Sequence, residues 1–428
     1  MPDLREKLRR TVHRDSTANS TVVDGLRRLY NRGKTKQFAD DSFSRTARYI
    51  HEYVDGEYIN TAFGDIFVTT TNYARQHKHG AVAMNSLPIV KGNLLHRWGR
   101  VSEAKHFDLK RTIFMDMETS GLAGGGGTIP FLIGIGIFDR GCFQVRQFFA
   151  DVPAVEEGML NLVDEFVKPA ETLITFNGKS FDVPQLETRY HLKRRRSPFA
   201  DLDHIDLLYP SRQLWSGELS DCQLQTLESN ILGFERGDDL PGSEVPEAYF
   251  RFLRRGDADP LYRVFQHNAD DITSLAALTV HLWQSLTNPG QNGRSGTPMA
   301  HGRIHLRLGN RMKAGQSFRN AMKDAISNQV RIRAALDLSM VYKSEKRWRD
   351  AEKLWRHVIE KTHHFHLLPY IELAKYLEHK AKGFEEATSV VEKAIDRLPS
   401  HRLKDRDALE HRLKRLQIRM TKEKASRS

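Results

Sequence analysis

Asp116 and Glu118 stand two residues apart at the end of the run TIFMDMET, Thr112 to Thr119. The residues before them are apolar, as in a buried strand, and strand alternation puts side chains i and i+2 on one face. Two acids on one face repel each other unless something positive binds between them. Hard divalent cations take such oxygen ligands. A lone pair of this kind is weak evidence, because solvated acidic pairs are common. A third acid, Asp182, follows the apolar run TLITF, Thr172 to Phe176, and the turn-like Asn177-Gly178-Lys179-Ser180. Strand, turn, then carboxylate puts it at a strand end or a helix start, where it can converge on the first two. A fourth, Asp271, lies four residues after His267 in a helical run, so both share one helix face. Asp270 competes with Asp271 for that role, needs a slightly different helix rotation and ranks second.

These residues need elements to position them. After Thr119 come Ser120-Gly121-Leu122 and a glycine run, Gly124 to Gly127, then strand-like segments Ile129 to Phe138 and Phe143 to Phe149. Three consecutive strands with short connections predict an antiparallel meander. Val155 to Val167 reads as a helix, Thr172 to Phe176 as a buried strand, and Ile272 to Trp283 as a helix.

The segments DMETSGL, FNGKSFDVPQL and HNADDITSLAAL, in that order, resemble the three motifs of DEDD-superfamily exonucleases. The glycine run with TIPFLIGIGIF, and DDLPGSEVPEAY at Asp238 to Tyr249, are similar to the bacterial YprB-like branch of ribonuclease-H-like proteins. The resemblance spans roughly Phe107 to Leu286 and extends more loosely to GDIF and HKHG upstream. It implies a ribonuclease-H-like α/β fold, a mixed sheet with flanking helices, and hydrolysis of DNA or RNA phosphodiesters, commonly 3′ to 5′. It also implies two divalent ions held by Asp116, Glu118, Asp182 and Asp271. Oxygen-only ligands favour Mg²⁺ or Mn²⁺ over zinc. In such sites two metals about 4 Å apart stabilise both attacking and leaving oxygens. His267 departs from the pattern: it stands four residues before the last Asp, the spacing of the tyrosine subclass, with the chemistry of the histidine subclass. It is a catalytic candidate that could take a proton from the attacking water, or a structural hydrogen-bonder.

Other residues admit two readings. Asn177 and Phe181 could fix the turn or stack on a base, but read first as a turn former and a core aromatic. Thr119 and Ser120 could donate to a phosphate or shape a turn. The basic run Lys193 to Arg196 could touch a nucleic-acid backbone or be solvated. His204 and Asp206 sit on an apparent strand and read as structural. His77, His79 and the other histidines show no ligand-like grouping.

The 428-residue chain divides by texture. Residues 1–104 contain short strands around Tyr58 to Thr70 and no nameable chemistry; 105–286 form the nuclease-like domain. Thr287 to Pro298, TNPGQNGRSGTP, reads as a linker. Residues 299–428 read as an all-α helical-repeat domain: Ala335, Leu338, Tyr342, Ala351 and Trp355 in one hairpin, Tyr370, Leu373, Leu377, Ala387 and Val391 in the next. The spacing of 35 from Ala335 to Tyr370 and from Leu338 to Leu373 resembles tetratricopeptide repeats; a plain helical bundle is the alternative. From His301 on, 30 Lys and Arg face 16 Asp and Glu, a net +14, while residues 1–300 hold 36 against 38. The positive excess makes the repeats a candidate holder of nucleic acid, or of a protein partner. Two cysteines, Cys142 and Cys222, exclude a disulfide framework and a cysteine zinc site. The N-terminal run MPDLREKLRR has no apolar core of a secretory signal, and no apolar run is long enough to span a bilayer, so a cytoplasmic protein with no membrane partner is expected. Two function classes thus stand against each other: a two-metal exonuclease, rather than an endonuclease, and a nucleic-acid-binding or scaffold protein that keeps the fold without cleavage.

Overall fold

In the computed structural model the described residues are 50–90, 94–99, 107–121, 127–289, 295–362 and 364–427, with side chains described to residue 422. Two compact units emerge, Met1–Ser295 and Gly296–Ser428. The glycines 124–126 and the centre of the glycine-rich linker, 290–294, lie outside the described residues.

The first unit is built on a seven-stranded sheet in the order β1-β2-β7-β6-β5-β8-β9. The meander runs through β5 (Thr112–Thr119), β6 (Pro130–Asp139) and β7 (Cys142–Phe149), all antiparallel. β8 (Thr172–Thr175) pairs parallel to β5, and β9 (Asp203–Asp206) parallel to β8. On the other side, β1 (Glu57–Thr61) and β2 (Gly64–Tyr73) form a hairpin that extends the sheet through β7. A small separate hairpin joins β3 (Lys78–His79) to β4 (Val82–Ala83). Helix α1 (Leu94–Trp98) is short.

Alternation along the strands separates two cores. Ile66, Val68, Ile113, Met115, Met117, Ile133, Ile135 and Phe148 face α2 (Glu156–Val167) and α3 (Asp182–Leu192), where Met159, Leu160, Val163, Leu186 and Tyr190 meet them. Their neighbours Phe67, Leu132 and Phe149 face the opposite way, onto Tyr249, Phe252, Leu261, Val264 and Phe265. Those residues come from α6 (Val245–Arg255) and the long α7 (Asp259–Thr287); between α3 and α6 lie α4 (Leu208–Trp215), α5 (Leu224–Leu227) and a π-helical turn, Glu228–Leu232. Each fully buried aromatic or aliphatic side chain contributes about 1.5–3 kcal/mol. Helices on both faces of a mixed sheet make this an α/β layered, ribonuclease-H-like fold.

The second unit is all-helical: α8 (Pro298–Arg307), α9 (Arg311–Lys323), α10 (Asn328–Ser344), α11 (Trp348–Lys361), α12 (Leu367–Tyr376), α13 (Phe384–Arg397) and α14 (Leu403–Arg427). Each helix packs on the next in sequence, the mark of short connections. Thr297, Asn310 and Ser327 cap α8, α9 and α10, each accepting from the backbone N–H of the third residue of its helix. The residues of the 35-residue pattern are the core: Ala351, Trp355, Tyr370, Leu373, Leu377, Ala387 and Val391 pack together, and Leu338 joins Phe318 and Val341. No helix among the described residues is long and apolar enough to cross a membrane.

Candidate functional site

β5 lies inside the sheet between β6 and β8, and its odd-numbered residues 113, 115 and 117 belong to the core against α2 and α3. Asp116 and Glu118 therefore point to the other face, where α7 crosses. The approach of α7 depends on two glycines of β6. A Cβ on Gly134 would lie 2.1 Å from Asn268 Oδ1, and one on Gly136 would lie 2.6 Å from Ile272 Cγ2. With those side chains absent, Asn268 reaches across and donates to Asp116 Oδ2 at 2.9 Å. Gln147 of β7 holds Asn268 in turn, donating to its Oδ1 at 2.9 Å and to the Phe265 carbonyl at 2.9 Å, while accepting from Thr69 at 3.1 Å.

Parallel pairing of β5 and β8 brings their C-terminal ends to one edge, the usual place for a site in such sheets. There the chain turns through Asn177, whose φ of 62° is left-handed, and reaches Asp182, the first residue of α3. Asp206 of β9 shapes this turn. Its carboxylate accepts from the backbone N–H of Asn177 at 2.8 Å, of Lys179 at 3.1 Å and of Leu208 at 3.0 Å. His204 hydrogen-bonds Thr175 at 2.8 Å, and burial, helped by the Lys179 charge, pushes its imidazole down to about 4. Both residues are thus structural supports of the turn that carries Asp182.

α7 supplies the remaining groups. His267 Nε2 lies 3.6 Å from Asp271 Oδ2. Glu118, His267 and Asp271 offer ligand atoms within 4.8 Å of one another, a group that could hold a metal ion. Asp116 and Asp182 are near enough to feel its acids, since each pair among Asp116, Glu118, Asp182 and Asp271 interacts through charge. Burial, then Asp271, Glu118 and Asp182, holds Asp116 well above the usual carboxylate range. Glu118 is pushed up to about 7 by burial, against the pull of His267. Asp182 is pushed up to about 7 by burial and by Asp206. Asp270, in contrast, accepts from Gln266 at 3.0 Å and is not in the metal-type group.

Residues outside the motif acids surround His267. Asp239 Oδ1 is 2.7 Å from His267 Nδ1, and Arg236 Nη1 is 3.1 Å from the same nitrogen. Arg236 also donates to both Glu228 oxygens at 2.7 Å and to Asp271. Arg236, Asp239, Glu228 and Asn268 were not distinguishable as site residues from the sequence. The only signal was positional: Asn268 directly follows His267, and Arg236 and Asp239 flank the start of the DDLPGSEVPEAY segment.

The weaker candidates resolve individually. Phe181 is not a core aromatic: it stands at the N-cap position of α3 and is 52% exposed. Thr119 Oγ1 donates to the Gly121 carbonyl at 2.9 Å and Ser120 Oγ accepts from Ile129 N at 3.0 Å, so both shape the turn after β5. The basic run is largely spent on ion pairs within the unit: Lys193 with Glu156 and Glu157, Arg195 with Asp164, Arg196 with Asp201.

Residues 113–283 match the family model RNase_H_2, described as RNase_H superfamily. Over 363 residues, 82% of this chain and 85% of the relative, the sequence is 30% identical to a protein of Bacillus subtilis (strain 168) named "Uncharacterized protein YprB".

Proposed function

We propose, from the premise that this chain belongs to the YprB family and carries a ribonuclease-H-superfamily domain, that it is a metal-dependent nuclease hydrolysing DNA or RNA. What supports this reading is the ligand-type group of Glu118, His267 and Asp271, together with the charge interactions that link Asp116 and Asp182 to its acids, from three separate elements. Among the described residues no Lys or Arg forms an ion pair with Asp116, Glu118 or Asp182; of the four acids, Arg236 pairs with Asp271 alone. Carboxylates left in this state are expensive to keep ionised, and the donor set fits hard divalent cations.

In this reading Asp116, Glu118, Asp182 and Asp271 hold Mg²⁺ or Mn²⁺, two ions by the resemblance to DEDD exonucleases. Bound metal supplies Lewis-acid stabilisation of the phosphoryl oxygens and of attacking and leaving groups. His267 Nε2 faces the acids and takes the proton of the attacking water. Asn268 keeps Asp116 oriented, and Asp206 keeps the Asp182 turn closed. A 3′-5′ exonuclease is the mode favoured by the motif resemblance. The domain of residues 105–286 carries the chemistry, and the basic helices of 299–428, in a tetratricopeptide-like arrangement, hold nucleic acid.

The test is a Mg²⁺- and Mn²⁺-titrated assay on end-labelled single- and double-stranded DNA and RNA with wild type and Asp116→Ala. Metal-dependent cleavage lost in the variant supports the reading. Binding without cleavage under all conditions favours the alternative of a nucleic-acid-binding or scaffold protein.

A further inference from the structure

Arg236 lies in the site and makes no contribution in the reading above. A buried guanidinium beside a phosphodiester site would ordinarily be assigned to the phosphate. Its donors exclude that. Nε–H goes to Glu228 Oε2, and the two Nη2 hydrogens go to Glu228 Oε1 and Asp271. The two Nη1 hydrogens face Asp239 Oδ2 at 3.5 Å and His267 Nδ1 at 3.1 Å. All five N–H groups are directed into the protein. Arg236 is therefore a strut: it ties Glu228, Asp239, His267 and Asp271 into one unit.

What the strut sets is the proton on His267. Nδ1 has two neighbours that ask for opposite tautomers. Asp239 Oδ1, at 2.7 Å, accepts a proton from Nδ1; Arg236 Nη1, at 3.1 Å, would donate to a bare Nδ1. The carboxylate contact is shorter and charge-assisted, so it prevails. Arg236 Nη1 is at the same time within reach of Asp239 Oδ2, which holds that carboxylate in place. With Nδ1–H given to Asp239, the lone pair stays on Nε2, on the side of Asp271 and Glu118. Without Asp239, Arg236 would donate to Nδ1, and the proton would move to Nε2.

The strut is braced from the part of the chain with no nameable chemistry. Glu228 is 1% exposed and accepts from Ser274 Oγ at 2.5 Å. Ser274 in turn hydrogen-bonds His79 Nε2 at 2.6 Å. His79 also stacks on Phe234, with ring centroids 3.8 Å apart, two residues before Arg236. The next two residues of the small hairpin bear on the same turn. Gly80 has a φ of 59° and passes so close to the Leu232 carbonyl that a Cβ would lie 2.2 Å from its oxygen, and Ala81 N donates to that oxygen at 2.7 Å. The β3–β4 hairpin thus holds the loop that holds the histidine.

We infer that Asp239 and Arg236 are positioning residues that fix His267 as its Nδ1–H tautomer, with Nε2 open to the carboxylate cluster, and that His79 braces them through Ser274 and Glu228. The catalytic part of this inference rests on the nuclease reading; the tautomer does not. The first measurement is accordingly ¹⁵N–¹H correlation of the full-length protein labelled at histidine, without metal or substrate, at about pH 9, where an imidazole is neutral. His267 is assigned by its loss in His267→Gln. The expected result is Nδ1–H in wild type and a shift to Nε2–H in Asp239→Ala. An Nε2–H wild type, or an unchanged tautomer in Asp239→Ala, overturns the inference whether or not the protein is a nuclease. The second measurement is turnover together with Mn²⁺ binding by calorimetry. Asp239→Ala should lower kcat by about 10²-fold, within the range for losing a general base, with KM and Mn²⁺ affinity changed less than about twofold. Asp239→Glu should restore part of the rate. His79→Phe, which keeps a ring on Phe234 and removes the bond to Ser274, should lower kcat by only a few-fold. Equal losses of kcat and Mn²⁺ affinity in Asp239→Ala would show general collapse of the site and overturn the positioning role.

Discussion

The protein buries acids in two opposite ways: with arginine partners, as at Glu378 of the helical unit, and without them, as at Asp116, Glu118 and Asp182 of the sheet unit. In the helical unit Glu378 lies in a π-helical turn, Leu377–Ala381, with its side chain fully buried. Arg412 and Arg415 each pair with its Oε2 at 2.8 Å, and Arg419 with its Oε1 at 3.2 Å. Burial pushes that carboxyl up, but Arg415, His379 and Arg412 outweigh it and hold it below the usual range. In the sheet unit Asp116, Glu118 and Asp182 form no ion pair with Lys or Arg among the described residues, and burial together with neighbouring carboxylates holds them above it, against the pull of His267 and Arg236 on Glu118. An acid supplied with basic partners stabilises a fold; acids deprived of them are kept for something the fold does not contain. The surface charge divides the same way. The sheet unit is near neutral and slightly acidic, and the net +14 lies on the helices.

The largest effect that would sharpen this contrast is on activity. Asp116→Ala should reduce divalent-dependent cleavage by more than roughly 10³-fold, about 4 kcal/mol of transition-state stabilisation, while circular dichroism and thermal melting stay native. Full cleavage by the purified variant would erase the contrast, because the unpartnered acids would have no task. His267→Ala should follow with a loss of about 10²-fold in kcat, and Mn²⁺ calorimetry should report affinity near wild type. A parallel loss of metal affinity would instead make His267 a ligand, as its place beside Glu118 and Asp271 allows.

Stability should respond with opposite signs in the two units. Glu378→Gln should destabilise the protein by about 1–3 kcal/mol, the value for breaking a buried pair reduced because its arginines are partly solvated. Asp182→Asn should stabilise the metal-free protein by on the order of 1 kcal/mol at pH 8. The pH windows follow from the shifts. Glu118 and Asp182 carry pKa values raised to about 7, so their contribution is full below the ordinary carboxylate range. It is lost as pH rises through 7, and Mg²⁺ should restore it. Glu378 is depressed, so its contribution is present above the ordinary glutamate value and lost as pH falls through its lowered one. Urea denaturation from pH 4 to 9, with and without Mg²⁺, measures both limbs; a wild type equally stable with and without Mg²⁺ at pH 8 contradicts the account of the site.

The smallest effect concerns the charge division. Removing residues 296–428 should leave hydrolysis at saturating substrate, weaken nucleic-acid affinity by about tenfold and flatten the dependence of log K on log salt, as fewer counterions are released. Circular dichroism must first show the shortened chain to be folded. An unchanged salt slope would reassign the helices to a protein partner.

Much of the site could be read from the sequence because it obeys periods internal to single elements. A strand's period of two puts Asp116 and Glu118 on one face, and a helix's i,i+4 step puts His267 with Asp271. The 35-residue recurrence of small and aromatic residues marked the helical core, Trp355 and Tyr370 among it. What no period carries is which face meets which partner across a long stretch of chain. Asn268 finds Asp116 across 152 residues, and only the missing side chains of Gly134 and Gly136 let it approach. Arg236 and Asp239 sit in a loop without periodicity, so their aim at His267 could not be foreseen, nor could the bracing of Glu228 through Ser274 by His79, 195 residues from that serine. The β1–β2 hairpin likewise reads locally as strand, but its place at the edge beside β7 is a choice of register and neighbour made in three dimensions. Local patterns encode the direction of a side chain within its own element. Which direction ends at a partner depends on packing and on the buried charge it must satisfy, and those exist only once the chain is folded.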